Sequence, residues 1–232
     1  MNPGALSQTL LATRYADPYW ANVIALIPFN DSVGAISFYD AVSKSPRWTA
    51  GGGTMTNNVR TKFWDTALQV PNSSTTAFAG PGSEWVLSGD FSIEAWMYIE
   101  AGAFSSVPLF HITSSIGTGI SGGTISSTAI TGTYNGISVS VGDGAGDLRG
   151  RWFHYFFGRS GTTIYIICNG IGVNSTVAAV PIGGTINPSI SFGTMGSTVP
   201  SAMTYYSDAR VTRGVCRYTA PFAVPTAPYP QQ

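Results

Sequence analysis

Charge is scarce in this sequence: 9% of its 232 residues are Asp, Glu, Lys or Arg, against about 25% in an ordinary domain. Eleven basic and eleven acidic residues cancel to a net charge of zero. No cluster of Lys and Arg exists that could release counterions from a phosphate backbone, which excludes nucleic acid as a partner. Near-zero net charge promotes association. That suits a subunit packed in an assembly or displayed outside a cell, and the alternative is a soluble monomer with few charges. Cysteine is nearly absent too. Cys168 and Cys216 stand far apart without CxxC or Cys/His spacing, so a zinc site is excluded and two readings stay open, buried free thiols or one disulfide. Long apolar runs are missing: Val23–Phe29 is too short to span a bilayer and contains Pro28, which argues against membrane insertion. The first twenty residues lack the basic start and apolar core of a secretory leader. Synthesis in the cytoplasm without a signal peptide is therefore expected. Phosphate loops, dinucleotide fingerprints and the GxSxG elbow are absent as well.

What the chain has instead is glycine (28), proline (14), aromatics (12%) and many Ser and Thr in short alternating runs. In GDFSIEAWMYIE, Phe91, Ile93, Ala95, Met97 and Ile99 share one face at period two and read as core. Ser92, Glu94, Trp96 and Tyr98 fall on the other face, which is either partly solvated or covered by polar company. Residues 113–150 show no helical period, and short strands such as Gly136–Val141 joined by glycine turns fit them, with flexibility as the competing reading. RWFHYFFGRSGTTIYIICNGIGV predicts a meander of Trp152–Phe157, Thr163–Cys168 and Ile171–Val177. Its second turn, Asn169-Gly170, is a type I′ signal. Many short strands with almost no helix predict an all-β, two-sheet antiparallel β-sandwich with extended N- and C-terminal arms. The expected organisation is an arm over 1–18, a sandwich over 19–220, and a proline-spaced strap over 221–232. A short helix is conceivable around Ala5–Thr13. Proline cannot continue a central strand, so the strap should lie extended against its own domain or a neighbour.

Four stretches together resemble the laminin-G-like, concanavalin A-like jelly-roll domains of tailed-phage virion proteins: DPYWANVIALIPFND, GDFSIEAWMYI, RWFHYFFGRSGTTIYIICNG and SDARVTRGVCRYTAPFAVPTAPYP. The last of them is the most specific. The resemblance implies a jelly roll whose first and last strands pair. It also implies a virion building block, either a head decoration (cement) subunit or a tail accessory protein. Such a protein is made in the host cytoplasm and has other virion subunits, including its own copies, as partners. The departures concern calcium, which some members of the family bind: an Asp-Gly turn is Asn169-Gly170 here, and the acid pair before the last strand is reduced to Ser207-Asp208. Hard cations need several oxygen ligands, and Asp143 and Asp147 in VGDGAGDLRG are the remaining candidates.

In Ser207–Val211, Ser207, Ala209 and Val211 are expected to face inward, and Asp208 and Arg210 to form a solvated pair outside. For function, the expectation is a non-catalytic particle subunit, with a host-surface glycan-binding adhesin as the alternative. Glu94, Trp96 and Tyr98, widened by Trp152 and Tyr155, combine rings with a carboxylate as sugar sites do. The competing reading is that these rings pack under the Ser/Gly/Thr-rich loops. A glycoside hydrolase is the third reading. It needs two carboxyls about 5–9.5 Å apart, whereas Glu94 and Glu100 lie about 20 Å apart along a strand and Asp90 and Glu94 about 13 Å. A pair drawn from different strands, with Asp65, Glu84 or Asp208 approaching Glu94, stays open. His111 and His154 are the histidines a triad would need, and His154 reads as structural among its aromatic neighbours.

Overall fold

The computed structural model describes residues 16–72, 77–79, 82–102, 107–112, 119–181, 189–193 and 201–231. The possible helix around Ala5–Thr13 and most of the N-terminal arm lie outside them. Sixteen strands run through the described residues. They are β1 (Val23–Ile27), β2 (Ser37–Asp40), β3 (Ser45–Ala50), β4 (Met55–Asn57), β5 (Ala67–Val70), β6 (Ala77–Ala79), β7 (Phe91–Ile99) and β8 (Val107–Ile112). After them come β9 (Ile120–Ser126), β10 (Ala129–Tyr134), β11 (Ile137–Val141), β12 (Trp152–Ser160), β13 (Thr163–Cys168), β14 (Gly172–Val177), β15 (Ile190–Phe192) and β16 (Thr204–Arg213). Helical structure among the described residues amounts to two 3-10 turns, Trp20–Asn22 and Ser83–Trp85.

The strands form two eight-stranded antiparallel sheets. The first runs β14-β13-β12-β7-β16-β5-β4, with β1 also paired to β16, and the second runs β11-β10-β9-β8-β15-β6-β3-β2. Each sheet buries its apolar face against the other, as alternation demands. Phe91, Ile93, Ala95, Met97 and Ile99 of β7 all enter the common core, and Phe153, Tyr155 and Phe157 of β12 join them. The expected meander is β12-β13-β14. Asn169 and Gly170 both have positive φ, 51° and 70°, and the Ile171 N–H donates to the Cys168 carbonyl, as the type I′ turn requires. The first and last strands pair, β1 against β16. Cys168 and Cys216 are free thiols, and burial pushes both up to about 12.

Two buried tyrosines cross the gap between the layers. The Tyr155 hydroxyl donates to the Thr131 carbonyl at 2.8 Å and the Tyr206 hydroxyl to the Pro108 carbonyl at 2.7 Å. Room for such large groups comes from inward-facing glycines on the second sheet. A Cβ at Gly122 would strike the Tyr155 hydroxyl and one at Gly132 would strike the Phe157 ring.

One strand departs from the alternation read from sequence. A bulge interrupts the β16–β7 register between Ser207 and Arg210, so that Ser207 pairs Trp96 and Arg210 pairs Glu94. Asp208 takes the extra place, with φ of 48°. Ala209 and Val211 do face the core, but Ser207 turns out with Arg210, because one inserted residue flips everything beyond it.

Filling the gap between the sheets should be costly. Gly132→Ala is expected to lower stability by roughly 1–3 kcal/mol through overpacking against Phe157, read as a lower denaturant midpoint than that of a Ser138→Ala control. An unchanged midpoint would show that the layers are less tightly interlocked than described.

Candidate functional site

The outer face of the first sheet is organised in rows set by strand register. One row is Gln69, Tyr205, Tyr98 and Trp152; the next is Ser207, Trp96 and His154; the third is Arg210, Glu94 and Phe156. The chain after Gly214 crosses this face without joining a strand and bends at Thr219-Ala220. Ser92 Oγ donates to the Val215 carbonyl and accepts from the Arg217 N–H, and the Phe222 N–H donates to the Gly170 carbonyl. Tyr218 and Phe222 stack with centroids 3.6 Å apart, and both meet Phe156 edge-on. Tyr229 ends the run in a small second core with Val23, Leu26 and Ala41. The strap thus docks on its own sheet, and does so from Val215 onward.

Under the strap lies a buried ion cluster. Arg210 directs Nε and Nη2 at Glu94 Oε1 (3.0 and 2.8 Å) and Nη1 at Asp17 Oδ2 (2.7 Å). Arg217 closes on both Asp17 oxygens at 2.9 and 2.8 Å. The Tyr229 ring lies 3.9 Å from the Arg210 guanidinium carbon. Its hydroxyl is 2.7 Å from His154 Nε2 and 3.3 Å from Glu94 Oε2. Both contacts are satisfied when Nε2–H donates to Tyr229 and Tyr229 donates to Glu94. Burial by itself would raise the Glu94 carboxyl. The charge of Arg210 foremost, with His154 and Arg217, outweighs it and holds Glu94 at about 2.

This overturns the expected solvated Asp208–Arg210 pair: Arg210 is committed to Glu94 and Asp17. Asp208 is instead buried in the bulge, where its Oδ1 accepts from Trp64 Nε1 at 3.1 Å and its Oδ2 has no partner. Burial raises its carboxyl to about 7. In a chain so poor in charge, an acid within the apolar strand β7 was the legible sign that a cation must meet it. Asp17 as a second acid in the cluster was not legible, since it lies 200 residues from Arg217.

Of the five residues read as a sugar face, the structure brings two to an open surface. Glu94 is fully buried and satisfied. Tyr155 sits on the opposite face of its sheet, in the core, because position 155 pairs with Ala95; His154 takes the place expected for it. Trp96 is covered by Lys62, whose Nζ stands 3.9 Å over the ring, by Phe63 and by His154. Tyr98 and Trp152 are half-buried neighbours with centroids 5.7 Å apart. Tyr205 meets Tyr98 edge-on at 6.1 Å, and Arg60 lies 5.2 Å over Tyr98 while pairing with Glu100 at 3.0 Å.

The calcium candidates are both taken by arginines. Asp143 holds Arg151 at 2.8 Å and accepts from the Asn169 amide at 2.6 Å, and Asp147 is bound by Arg149. Among the described residues, His, Cys, Asp and Glu nowhere gather in a group of three able to hold a metal ion. The groups in contact with Glu94 are Arg210, Arg217, His154 and Tyr229, while Glu84 pairs with Arg47 and Asp208 accepts from Trp64. A carboxyl held near 2 is ionised at neutral pH and cannot act there as a general acid.

No protein-family model and no curated protein matches this sequence. Solved structures do. Domain 4 of AbnA, a GH43 extracellular arabinanase from Geobacillus stearothermophilus solved in complex with arabinotriose, is similar with a TM-score of 0.64 and 17% identity, over 83% of this chain and 93% of that one. The botulinum neurotoxin serotype D ligand binding domain, solved in complex with N-acetylneuraminic acid, gives 0.64 at 12% identity, over 85% and 49%. The binding domain of botulinum neurotoxin DC, in complex with rat synaptotagmin II, gives 0.64 at 13%, over 85% and 50%. The shared feature is the β-sandwich. The chain spans about half the length of the toxin domains it matches.

Two titrations should read the outer face. Glu94 has a folded value of about 2 against an ordinary 4.5. Its contribution is therefore complete above about pH 4.5 and drains away as pH falls toward 2. Glu94→Gln should cost about 3–5 kcal/mol at pH 7 by leaving Arg210 underpaired, and the gap in Tm from wild type should close on acidification. A gap independent of pH would refute the cluster. Asp208 runs the other way. Raised from 3.8 to about 7, it is a proton-binding site of the folded state, so wild type loses stability as pH climbs from about 4 to 7. Asp208→Asn keeps the Trp64 bond and tolerates positive φ, and should gain over wild type between pH 5 and pH 8. No relative gain would argue against a buried carboxylate there.

Proposed function

We propose that this β-sandwich is a non-catalytic carbohydrate-binding module and that the row through Tyr98 and Trp152 is one of its contact surfaces. The observation that carries the reading is what the strap leaves uncovered. Tyr98 and Trp152 stay half-exposed side by side, next to an ion pair, while Trp96, His154 and Glu94 in the adjoining rows are buried. Ring faces take the C–H face of a sugar, and Arg60, Glu100 and Gln69 supply donors and acceptors for hydroxyls. Similarity of fold to an arabinanase domain solved with arabinotriose, and to a toxin domain solved with N-acetylneuraminic acid, supports the same reading. A structural place on a tailed-phage particle, with copies of itself as neighbours, is compatible with such a module. Because the strap is spent on its own sheet, that role draws on the near-absence of charge and the sequence resemblance alone.

Trp152→Ala should weaken at least one class of bound glycan tenfold or more on an array, with Tm close to wild type. A wild-type protein that binds no glycan, or a variant whose array matches wild type, would overturn the assignment.

A further inference from the structure

The outer face of the second sheet has a different chemistry. Register places Pro108, Gly123, Thr131 and Ser140 in one outward row across β8, β9, β10 and β11, and His111, Ser121, Thr133 and Ser138 in the next. Their inward neighbours Phe110, Ile120, Ile130, Tyr134 and Val139 are core residues, which fixes the orientation. A solvent-facing sheet ordinarily carries long charged side chains that shield its carbon and discourage stacking. Here, apart from His111 at the β8 end, no side chain in the two rows is larger than threonine or proline, and the face is hollowed into a cavity of about 360 Å³. Four strands at about 4.8 Å spacing make the floor roughly 14 Å wide, enough for several linked sugar rings.

The hydroxyls lining it are ordered. Thr133 Oγ1 and Ser138 Oγ are 2.8 Å apart, Ser140 Oγ donates to Thr131 Oγ1 at 3.2 Å, and Thr131 Oγ1 donates to the Val139 carbonyl at 3.2 Å. Each oxygen so held keeps a lone pair for an incoming hydroxyl, and fixed rotamers lower the entropy lost on binding.

We propose that this trough is a second carbohydrate site, separate from the Tyr98–Trp152 row, and that its ligand class is an uncharged oligosaccharide. Within the lining there is no cation to hold a sialic or uronic carboxylate and no carboxylate to repel one. What it offers is neutral hydroxyls over a floor of methyl, methylene and proline carbon. The assignment rests on the carbohydrate-binding reading above and deepens it by naming a site and a ligand class.

The test titrates the ¹⁵N-labelled full chain with uncharged hexasaccharides of glucose, xylose and arabinose, and with sialyllactose. At least one uncharged probe should shift the amides of Ser121–Thr124, Thr131, Thr133, Ser138 and Ser140. Thr133→Trp, which fills the trough from its outer side, should weaken that binding tenfold or more, and Trp152→Ala should leave it within twofold. Ser138→Trp serves the same purpose if Thr133→Trp does not fold. Binding lost with Trp152→Ala but kept with Thr133→Trp overturns the trough and leaves the carbohydrate-binding function standing. No shift with any sugar overturns both. Sialyllactose perturbing the trough as strongly as the uncharged probes overturns the ligand class. A self-associated wild type made monomeric by Thr133→Trp, with no sugar response, makes the face a contact between copies and overturns the site.

Discussion

The guanidinium of Arg210 lies between Glu94 and Asp17, with the ring of Tyr229 beneath it and Arg217 on the far side of Asp17. Three distant parts of the chain meet there: the segment before β1, the middle of β7, and the strap after β16. Two cations and two anions leave the group neutral, and both arginines have side chains only 4% exposed. Removing such charges from water costs several kcal/mol per ion, largely offset by their mutual attraction, so net stability is not what the cluster chiefly supplies. What it supplies is placement. An arginine that must reach two acids at once admits one position for the strap and one for the chain entering β1.

That placement depends on the bulge at Asp208. Without the inserted residue, alternation from Tyr206 would turn Arg210 toward the apolar core. With it, Tyr206 and Ala209 both face inward and Arg210 comes to rest beside Glu94. The bulge carries its own strain in the form of a positive φ and a half-satisfied buried carboxyl. The ion cluster and the Trp64 hydrogen bond hold it in place.

Closing one face has a consequence for function. Binding sites on a sandwich need open surface, and the strap occupies most of the first sheet's exterior. What stays available there is the aromatic row at its margin. The second sheet, whose outer rows across β9, β10 and β11 carry only short side chains, provides a trough lined by hydroxyls. The two surfaces differ in kind, one of rings beside an ion pair and the other neutral and hydroxylated.

The alternation of β7, the meander of β12 to β14 and the Asn169-Gly170 turn were all legible from residue order, because side-chain period and turn chemistry act over a few neighbouring positions. That the proline-spaced tail would not continue as a strand was legible for the same reason. The aromatic face was only half legible. Trp152 and Tyr98 do lie side by side, whereas Tyr155 was assigned without knowing which residue of β7 it would oppose, and Glu94 without knowing what would cover it. Those facts depend on pairs far apart in sequence, Tyr155 with Ala95 and Glu94 with Arg210 and Tyr229. They depend equally on a single inserted residue whose backbone angle no local pattern announces. Sequence alone determined that there would be two layers of strands and a proline-spaced tail. The tertiary structure decided which side of each layer meets water, because that choice is made by register and by long-range charge pairing, and neither has a local signature.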